Sequence, residues 1–311
     1  MIKKCSGCGS VLQHKEPKTV GYTPKENAKL CERCFKLKNY NQKEIINLKY
    51  NNEDILNILN NDSEVVFFIT DFLNLNQETL ELYKKIKKEK YLVINKIDYI
   101  PYSINLEKYK DYLLKTYDIK EKIIFVSALK NYNLNELNNK FLSYKKSYIC
   151  GFTNSGKSTI INGICKMNGK DSLILESLMP NTTLDVIKIK LDGSIYIFDT
   201  PGFTLNGEFE IDTYPKKYIK PITIQTKENE IIQIGENKYI YSEQKNSFTF
   251  YMSQNIKIKK IYKDNIKFEY DYKINKNSDV IINNYGFINI KNECNIKTNF
   301  MVNEVRHSMF E

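Results

Sequence analysis

Gly151-Phe152-Thr153-Asn154-Ser155-Gly156-Lys157-Ser158-Thr159 has the pattern G-x-x-x-x-G-K-[ST]. A short apolar run, Tyr148-Ile149-Cys150, precedes it, so the segment reads as strand, glycine-rich turn and helix, the context in which such a loop cradles a polyphosphate. Gly151 and Gly156 let backbone N–H groups of the loop, those of Asn154 and Ser155 among them, close around phosphate oxygens. Lys157 is placed to reach the β- and γ-phosphates, the Ser158 hydroxyl to ligate Mg²⁺, and Thr159 to complete the loop. The helix opening near Lys157 adds its positive N-terminal end. The loop lies mid-chain, with about half of the residues before it.

Upstream, apolar and β-branched runs alternate with helical spacing. Strands are predicted at 64–70, 91–94, 123–126 and 148–150, and helices at 77–88, 106–114 and 134–142, the alternation of a parallel sheet covered on both faces. Ligands on such sheets bind at the carboxyl ends of the strands. The strand at 91–94 ends in Asn95-Lys96-Ile97-Asp98, an NKxD motif. The Asp98 carboxylate can accept the guanine N1–H and 2-amino protons, donors that adenine lacks on that edge. Asn95 would tie this loop to the phosphate loop, and the Lys96 stem would lie over the ring. The strand at 123–126 ends in Ser127-Ala128-Leu129, where a small residue lets the Ala128 N–H approach guanine O6.

Downstream, Pro180-Asn181-Thr182-Thr183-Leu184 precedes a strand starting near Val186. Thr183, with Thr182 as second choice, is expected to meet Mg²⁺ and the γ-phosphate. A strand at 195–198 then ends in Asp199-Thr200-Pro201-Gly202. The Asp199 carboxylate can hold Mg²⁺ through water, and the Gly202 N–H can sense the γ-phosphate, so that its loop moves when that phosphate leaves. These are five GTPase motifs in a rotated order, which predicts a circularly permuted P-loop GTPase domain of α/β class with a parallel-rich sheet. Permutation is tolerable because pairing and packing hold the sheet whichever chain ends are open.

The N-terminal 45 residues differ in kind. Cys5-x-x-Cys8 and Cys31-x-x-Cys34 stand about 22 residues apart, two knuckles able to complete a closed tetrahedral zinc site of structural type; a redox pair is the alternative. The other three of the seven cysteines, Cys150, Cys165 and Cys294, read as small apolar side chains. Net charge is +10, and residues 1–40 hold nine Lys or Arg against three acidic residues. That basic excess suits nucleic acid, although a Lys-, Asn- and Ile-rich composition produces the same charge without it. No apolar run approaches the roughly 18 residues of a membrane span. No secretory or organelle leader follows Met1-Ile2-Lys3-Lys4, so a cytoplasmic protein without membrane contact is expected. From residue 205 onward the runs are β-branched or alternating, with a hairpin predicted around Gly235, and predict a β-rich domain. Its many Tyr, Phe and Lys residues suit RNA stacking and a half-buried sheet equally. The expected domains are thus 1–45, 46–204 and 205–311.

The cysteine module with Cys-Glu-Arg-Cys-Phe-Lys-Leu-Lys-Asn-Tyr-Asn, followed by the rotated motifs, resembles the YqeH family of ribosome-assembly GTPases over about the first two-thirds of the chain. The resemblance implies GTP, Mg²⁺ and Zn²⁺ as ligands. It also implies the small (30S) ribosomal subunit and its rRNA as partners, and a C-terminal domain similar to a small RNA-binding β fold. Large-subunit assembly and a GTP-gated RNA- or protein-binding module with negligible hydrolysis are the alternatives. Phe203 stands after DxxG, where Ras-like enzymes carry a water-orienting Gln. Arg33 and Arg306, the two arginines of the chain, lie outside the motifs. A slow, partner-stimulated hydrolysis is therefore expected, with K⁺ bound by Asn154 supplying the missing charge; the alternative is that Asn154 only hydrogen-bonds within its own loop.

Overall fold

The computed structural model describes residues 3, 5, 11–15, 21–32, 35, 51–101, 104–120, 122–152, 154–170, 175–178, 186–203, 219–262 and 266–309. The chain divides into two compact units that are not contiguous in sequence. One comprises Met1–Thr70, Tyr83–Asn95 and Glu121–Thr204, the other Asp71–Leu82, Lys96–Lys120 and Leu205–Glu311. Two segments expected within the GTPase domain, 71–82 and 96–120, group with the residues from Leu205 onward.

In the first unit, helix α1 (Asn52–Asp62) opens on Asn51, whose side chain accepts from the Glu53 N–H, and it buries Ile55, Leu56 and Leu59. Strand β1 (Val65–Asp71) is buried at every position, as a central strand covered on both faces must be. Along the chain, helix α2 (Gln77–Lys84), most of it in the second unit, leads to β2 (Glu89–Asn95) of the first, and helix α3 (Leu106–Thr116) of the second unit leads to β3 (Lys122–Phe125) of the first. Then come α4 (Leu134–Leu142), β4 (Lys146–Gly151), α5 (Lys157–Met167), β5 (Leu175–Leu178), β6 (Ile187–Asp192) and β7 (Ile195–Asp199). The seven strands lie in the order β3-β2-β1-β4-β7-β6-β5. Pairs β1–β4, β2–β3 and β4–β7 are parallel, whereas β6 and β5 add an antiparallel edge. The core gathers Val65, Phe67, Ile69, Val93, Ile124, Phe141, Ile149, Ile160 and Ile164. Each such side chain contributes about 1.5–3 kcal/mol when fully buried. Gly163 allows α4 to pack tightly on α5, since a Cβ there would stand 3.0 Å from Leu134 Cδ1.

Helix α2 stops at Lys84 rather than continuing to residue 88. Asn60 takes over the chain there: its Nδ2 donates to Lys85 O and its Oδ1 accepts from Lys87 N–H at 2.7 Å. Ile86, which completed the helical spacing, is still buried but from an irregular segment.

In the second unit, strands β8 (Ile222–Thr226), β9 (Glu230–Ile234), β10 (Lys238–Ser242), β11 (Asn246–Met252), β12 (Ile258–Ile261), β13 (Tyr270–Ile274), β14 (Ser278–Ile282), β15 (Gly286–Ile290), β16 (Cys294–Thr298) and β17 (Glu304–His307) form two five-stranded sheets. Their orders are β12-β9-β10-β16-β13 and β17-β14-β15-β11-β8. Both sheets feed one core, with Ile232, Ile240 and Ile296 from the first and Phe248, Val280 and Ile288 from the second. Gly235, at φ +64°, sits in the turn of the β9–β10 hairpin expected from sequence. The predicted run 280–290 is instead two strands, because Asn284 adopts φ +67° and turns the chain. The outer face of the second sheet is also covered. Phe72 meets Phe287 and Tyr109 edge-on, both at 5.6 Å, and Arg306 donates to Leu75 O at 3.0 Å and to Tyr117 Oη at 2.6 Å. Arg306 is therefore committed to packing. Its neighbour Asp279 is fully buried, and burial raises that carboxyl above its usual range, an effect Arg306 partly offsets. No helix among the described residues is long and apolar enough to cross a membrane.

Candidate nucleotide site

The glycine-rich loop joins β4 to α5 as expected. Gly151 has φ +141°, and a Cβ there would lie 1.9 Å from the Ile69 carbonyl oxygen of the neighbouring strand, so no other residue fits. Asn154 and Gly156 hold φ +62° and +90°; Gly156 is the N-cap of α5. Asn is among the few non-glycine residues that visit this region readily. The buried Ser155 fastens the loop by donating its N–H and hydroxyl to Phe152 O at 3.3 and 2.8 Å. Lys157 is buried and its Nζ donates to Gly151 O at 3.2 Å. Ser158 is half-buried, and Asn154 and Thr159 are exposed. Beside the loop, burial drives the Cys150 thiol well above its usual pKa, partly offset by Lys157, so it stays protonated and unreactive.

Asn95 stands at the end of β2 and joins three loops' worth of motif. Its Nδ2 donates to Ser155 O at 2.9 Å and its Oδ1 accepts the Ala128 N–H at 3.1 Å. The tie to the phosphate loop is the one read from sequence. The Ala128 N–H, expected to face guanine O6, is bonded to Asn95, so a base oxygen would have to share that donor. Ser127 is buried, with its Oγ accepting from the Lys130 N–H and its backbone bridged to Tyr132. Asp199 is buried at the end of β7, and Gly202 is half-buried. Phe203 is fully buried: it bridges to Phe152, its N–H donates to Gly151 O at 3.0 Å, and its ring packs on Phe68 at 5.8 Å. The residue in the place of a water-orienting Gln is thus a core side chain.

In the second unit, Lys96 has φ +61°, and its Nζ pairs with Asp71 Oδ2 at 3.1 Å. Asp98 begins half-buried in a 3₁₀ turn, Ile97–Tyr99. Burial raises the Tyr99 phenol above its usual pKa, and the Asp98 and Asp71 carboxylates add to that effect, so the phenol remains neutral. Sequence reasoning missed Asp71. Its one signal was a lone acid closing the apolar run Val65–Thr70.

Cys5 and Cys31 are both buried, and the Cys31 N–H donates to Cys5 Sγ at 3.2 Å. Cys8, Cys34, Thr182 and Thr183 lie outside the described residues. Among the described residues, no group of three or more His, Cys, Asp or Glu side chains is arranged to hold a metal ion.

Residues 43–209 match the family described as RsgA GTPase, and residues 146–284 the family described as 50S ribosome-binding GTPase. The chain is 32% identical over 255 residues to the protein YqeH of Bacillus subtilis, an alignment covering 74% of this chain and 69% of that one. The chain belongs to the YqeH family of circularly permuted GTPases. Family membership accounts for the rotated motif order and makes GTP and Mg²⁺ the expected ligands. The chain is also 35% identical over 138 residues to the small ribosomal subunit biogenesis GTPase RsgA of Fusobacterium nucleatum, covering 43% of this chain and 47% of that protein. A crystal structure of YjeQ from Thermotoga maritima matches at 26% identity and a TM-score of 0.34, over 46% of this chain and 49% of that one.

Proposed function

We propose that this chain binds and hydrolyses GTP as a ribosome-biogenesis factor, and that it acts on the small subunit through rRNA contacts. The observation that carries the reading is the Asn95 bridge. One amide holds the phosphate loop through Ser155 and the loop of Ala128 through its backbone, as a guanine site needs. In this reading the backbone of Gly151, Asn154, Ser155 and Gly156, with Thr159, surrounds the phosphates, and Lys157 leaves Gly151 O for the β- and γ-phosphates. Asp98 accepts from the guanine edge, Lys96 covers the ring, and Ser127 orients the Ala128 loop toward the base. Mg²⁺, when bound, would supply positive charge that offsets the charge of the phosphates. Ser158 and Thr183 are its proposed ligands, Asp199 acts through water, and Gly202 responds to the γ-phosphate. The donor set fits a hard cation: hydroxyl and carboxylate oxygens.

Hydrolysis is proposed to be slow, stimulated by a partner and assisted by K⁺ at Asn154, because Phe203 offers no polar group. Zn²⁺ is proposed at Cys5, Cys8, Cys31 and Cys34; the sequence spacing and the N–H bond to Cys5 Sγ support that assignment. In this reading residues 1–45 and 205–311, which flank the GTPase domain 46–204 in the sequence, contact RNA.

The name of the Fusobacterium relative supports the small subunit. A second reading, large-subunit assembly, is supported by the family description matched over 146–284. Co-sedimentation with purified 30S and 50S subunits, using a non-hydrolysable GTP analogue at several salt concentrations, decides between them. Retention on 30S alone, weakening steeply with salt, is expected; retention on 50S alone would establish the second reading.

A further inference from the structure

We infer that Asp71 is a positioning residue for guanine recognition. It fixes Lys96, and it is itself held in place by the C-terminal sandwich through Asn74. The inference rests on the proposal above that Lys96 and Asp98 contact the base. The Asp71 side chain is 2% exposed and sits at the end of β1. Its Oδ1 accepts from the N–H groups of Leu73 and Asn74 and from Asn74 Nδ2 at 3.0–3.2 Å, and its Oδ2 accepts from Asn74 Nδ2 and from Lys96 Nζ at 3.1 Å. A carboxylate this buried is tolerable only when its lone pairs are met, and here donors reach both oxygens.

The geometry has a consequence for Lys96. Its backbone is left-handed, and its side chain is only 15% exposed because the ammonium points down onto Asp71. The four-carbon stem is therefore laid out in one conformation, two residues before Asp98. A lysine held at both ends loses little freedom when a planar base lies on its stem, whereas a free lysine would have to be ordered at binding.

The second half of the inference concerns what holds Asp71. Asn74 is buried, and its Oδ1 accepts the N–H of Asn284 at 2.9 Å, in the turn between β14 and β15. The same turn meets the loop again at Asn283, which bonds Asn76 and Glu78. A Cβ at Gly286 would fall 2.2 Å from Tyr251 O and 3.2 Å from Leu73 Cδ2, so the turn is closely fitted against its neighbouring strand and the loop. The 71–76 loop is thus one hydrogen-bonded body with the sandwich, and Lys96 is attached to that body by its charge. Base affinity should then depend on contacts made some 200 residues away in the chain.

The test uses the full chain and a fluorescent GDP analogue. Asp71→Asn and Lys96→Met should each weaken binding about tenfold, the range of a hydrogen bond to a charged group. The double variant should be no weaker than either single, since both remove one interaction. Asn74→Ala should weaken binding less than Asp71→Asn and add nothing to it. A merely structural Asp71 would shift the urea midpoint and give losses that add to those of Lys96→Met. Unchanged affinity in Asp71→Asn, or additive losses, overturns the inference. Should Asp71→Asn fail to fold, Lys96→Met and Asn74→Ala decide: their losses must be non-additive. Asp98→Asn separates the two levels. If it switches preference to xanthosine nucleotides while Asp71→Asn binds GDP normally, only this inference falls. If it does not switch, the base-reading assignment itself falls.

Discussion

The phosphate loop and the NKID loop each hold their backbone in place, but with different materials. At Gly151–Lys157 the structure is enforced by sterics: left-handed residues at Asn154 and Gly156, a carbonyl pressed against Gly151, and a serine bonded twice to its own loop. At Lys96–Tyr99 it is enforced by charge, with one buried carboxylate holding an ammonium, two backbone N–H groups and an amide. Steric enforcement fails all at once, because a Cβ has nowhere to go. Electrostatic enforcement fails by degrees, since a neutral isostere keeps the shape and loses only part of the bonding. Gly151 in the first loop should therefore tolerate no substitution, and the second loop should accept isosteric ones with graded loss.

Gly151→Ala is the most severe way to test this. The new methyl would stand 1.9 Å from Ile69 O, a backbone atom of a fully buried strand that no rotamer change can move. We expect loss of about 3 kcal/mol or more in urea unfolding and no measurable GTP binding. Gly169→Ala is the control: its φ is +69° but nothing lies within 4 Å, so about 1 kcal/mol is expected with normal binding. Equal effects of the two variants would show that crowding at Gly151 is not what shapes the loop.

Asp98→Asn probes the other kind of loop. The shape of the carboxylate is kept and its charge removed, so the unfolding midpoint should stay within about 0.5 kcal/mol of the parent. Affinity for GTP should fall on the order of 100-fold or more, with xanthosine triphosphate now preferred, because the amide cannot accept both guanine protons. Unchanged GTP affinity would remove Asp98 from the base site and leave the two loops without a functional contrast.

The same distinction explains which parts were legible in the sequence. Steric devices announce themselves locally. The glycines of 151–156 and the strand before them stand within a few residues of each other, and α4 was placed at its observed limits because Leu134, Leu137 and Phe141 keep helical spacing. Charge devices close over distance. Asp71 has no meaning until Lys96 arrives 25 residues later, and Asn74 needs Asn284, 210 positions away. For that reason the grouping of 71–82 and 96–120 with the C-terminal residues could not be read from a linear boundary at 204. Phe203 is an intermediate case: its identity excluded a Gln-like role at once, but its packing against Phe68 and Phe152 depends on strand neighbours.

The mildest expected effect bears on the chemistry of the steric loop. Phe203 is fully buried and its N–H is bound to Gly151 O, so Phe203→Gln would place an amide in the core rather than beside an attacking water. That variant should lose about 1–3 kcal/mol of stability and hydrolyse GTP no faster than the parent. If rigid backbone and a cation at Asn154 do the work instead, exchanging K⁺ for Na⁺ should slow single-turnover hydrolysis several-fold in the parent and in Phe203→Gln alike, while GTP affinity stays unchanged. Asn154→Ala should abolish that ion dependence. Equal rates in both salts would mean that the loop needs no monovalent ion, and that the charge missing from this site must come from whatever binds the assembled protein.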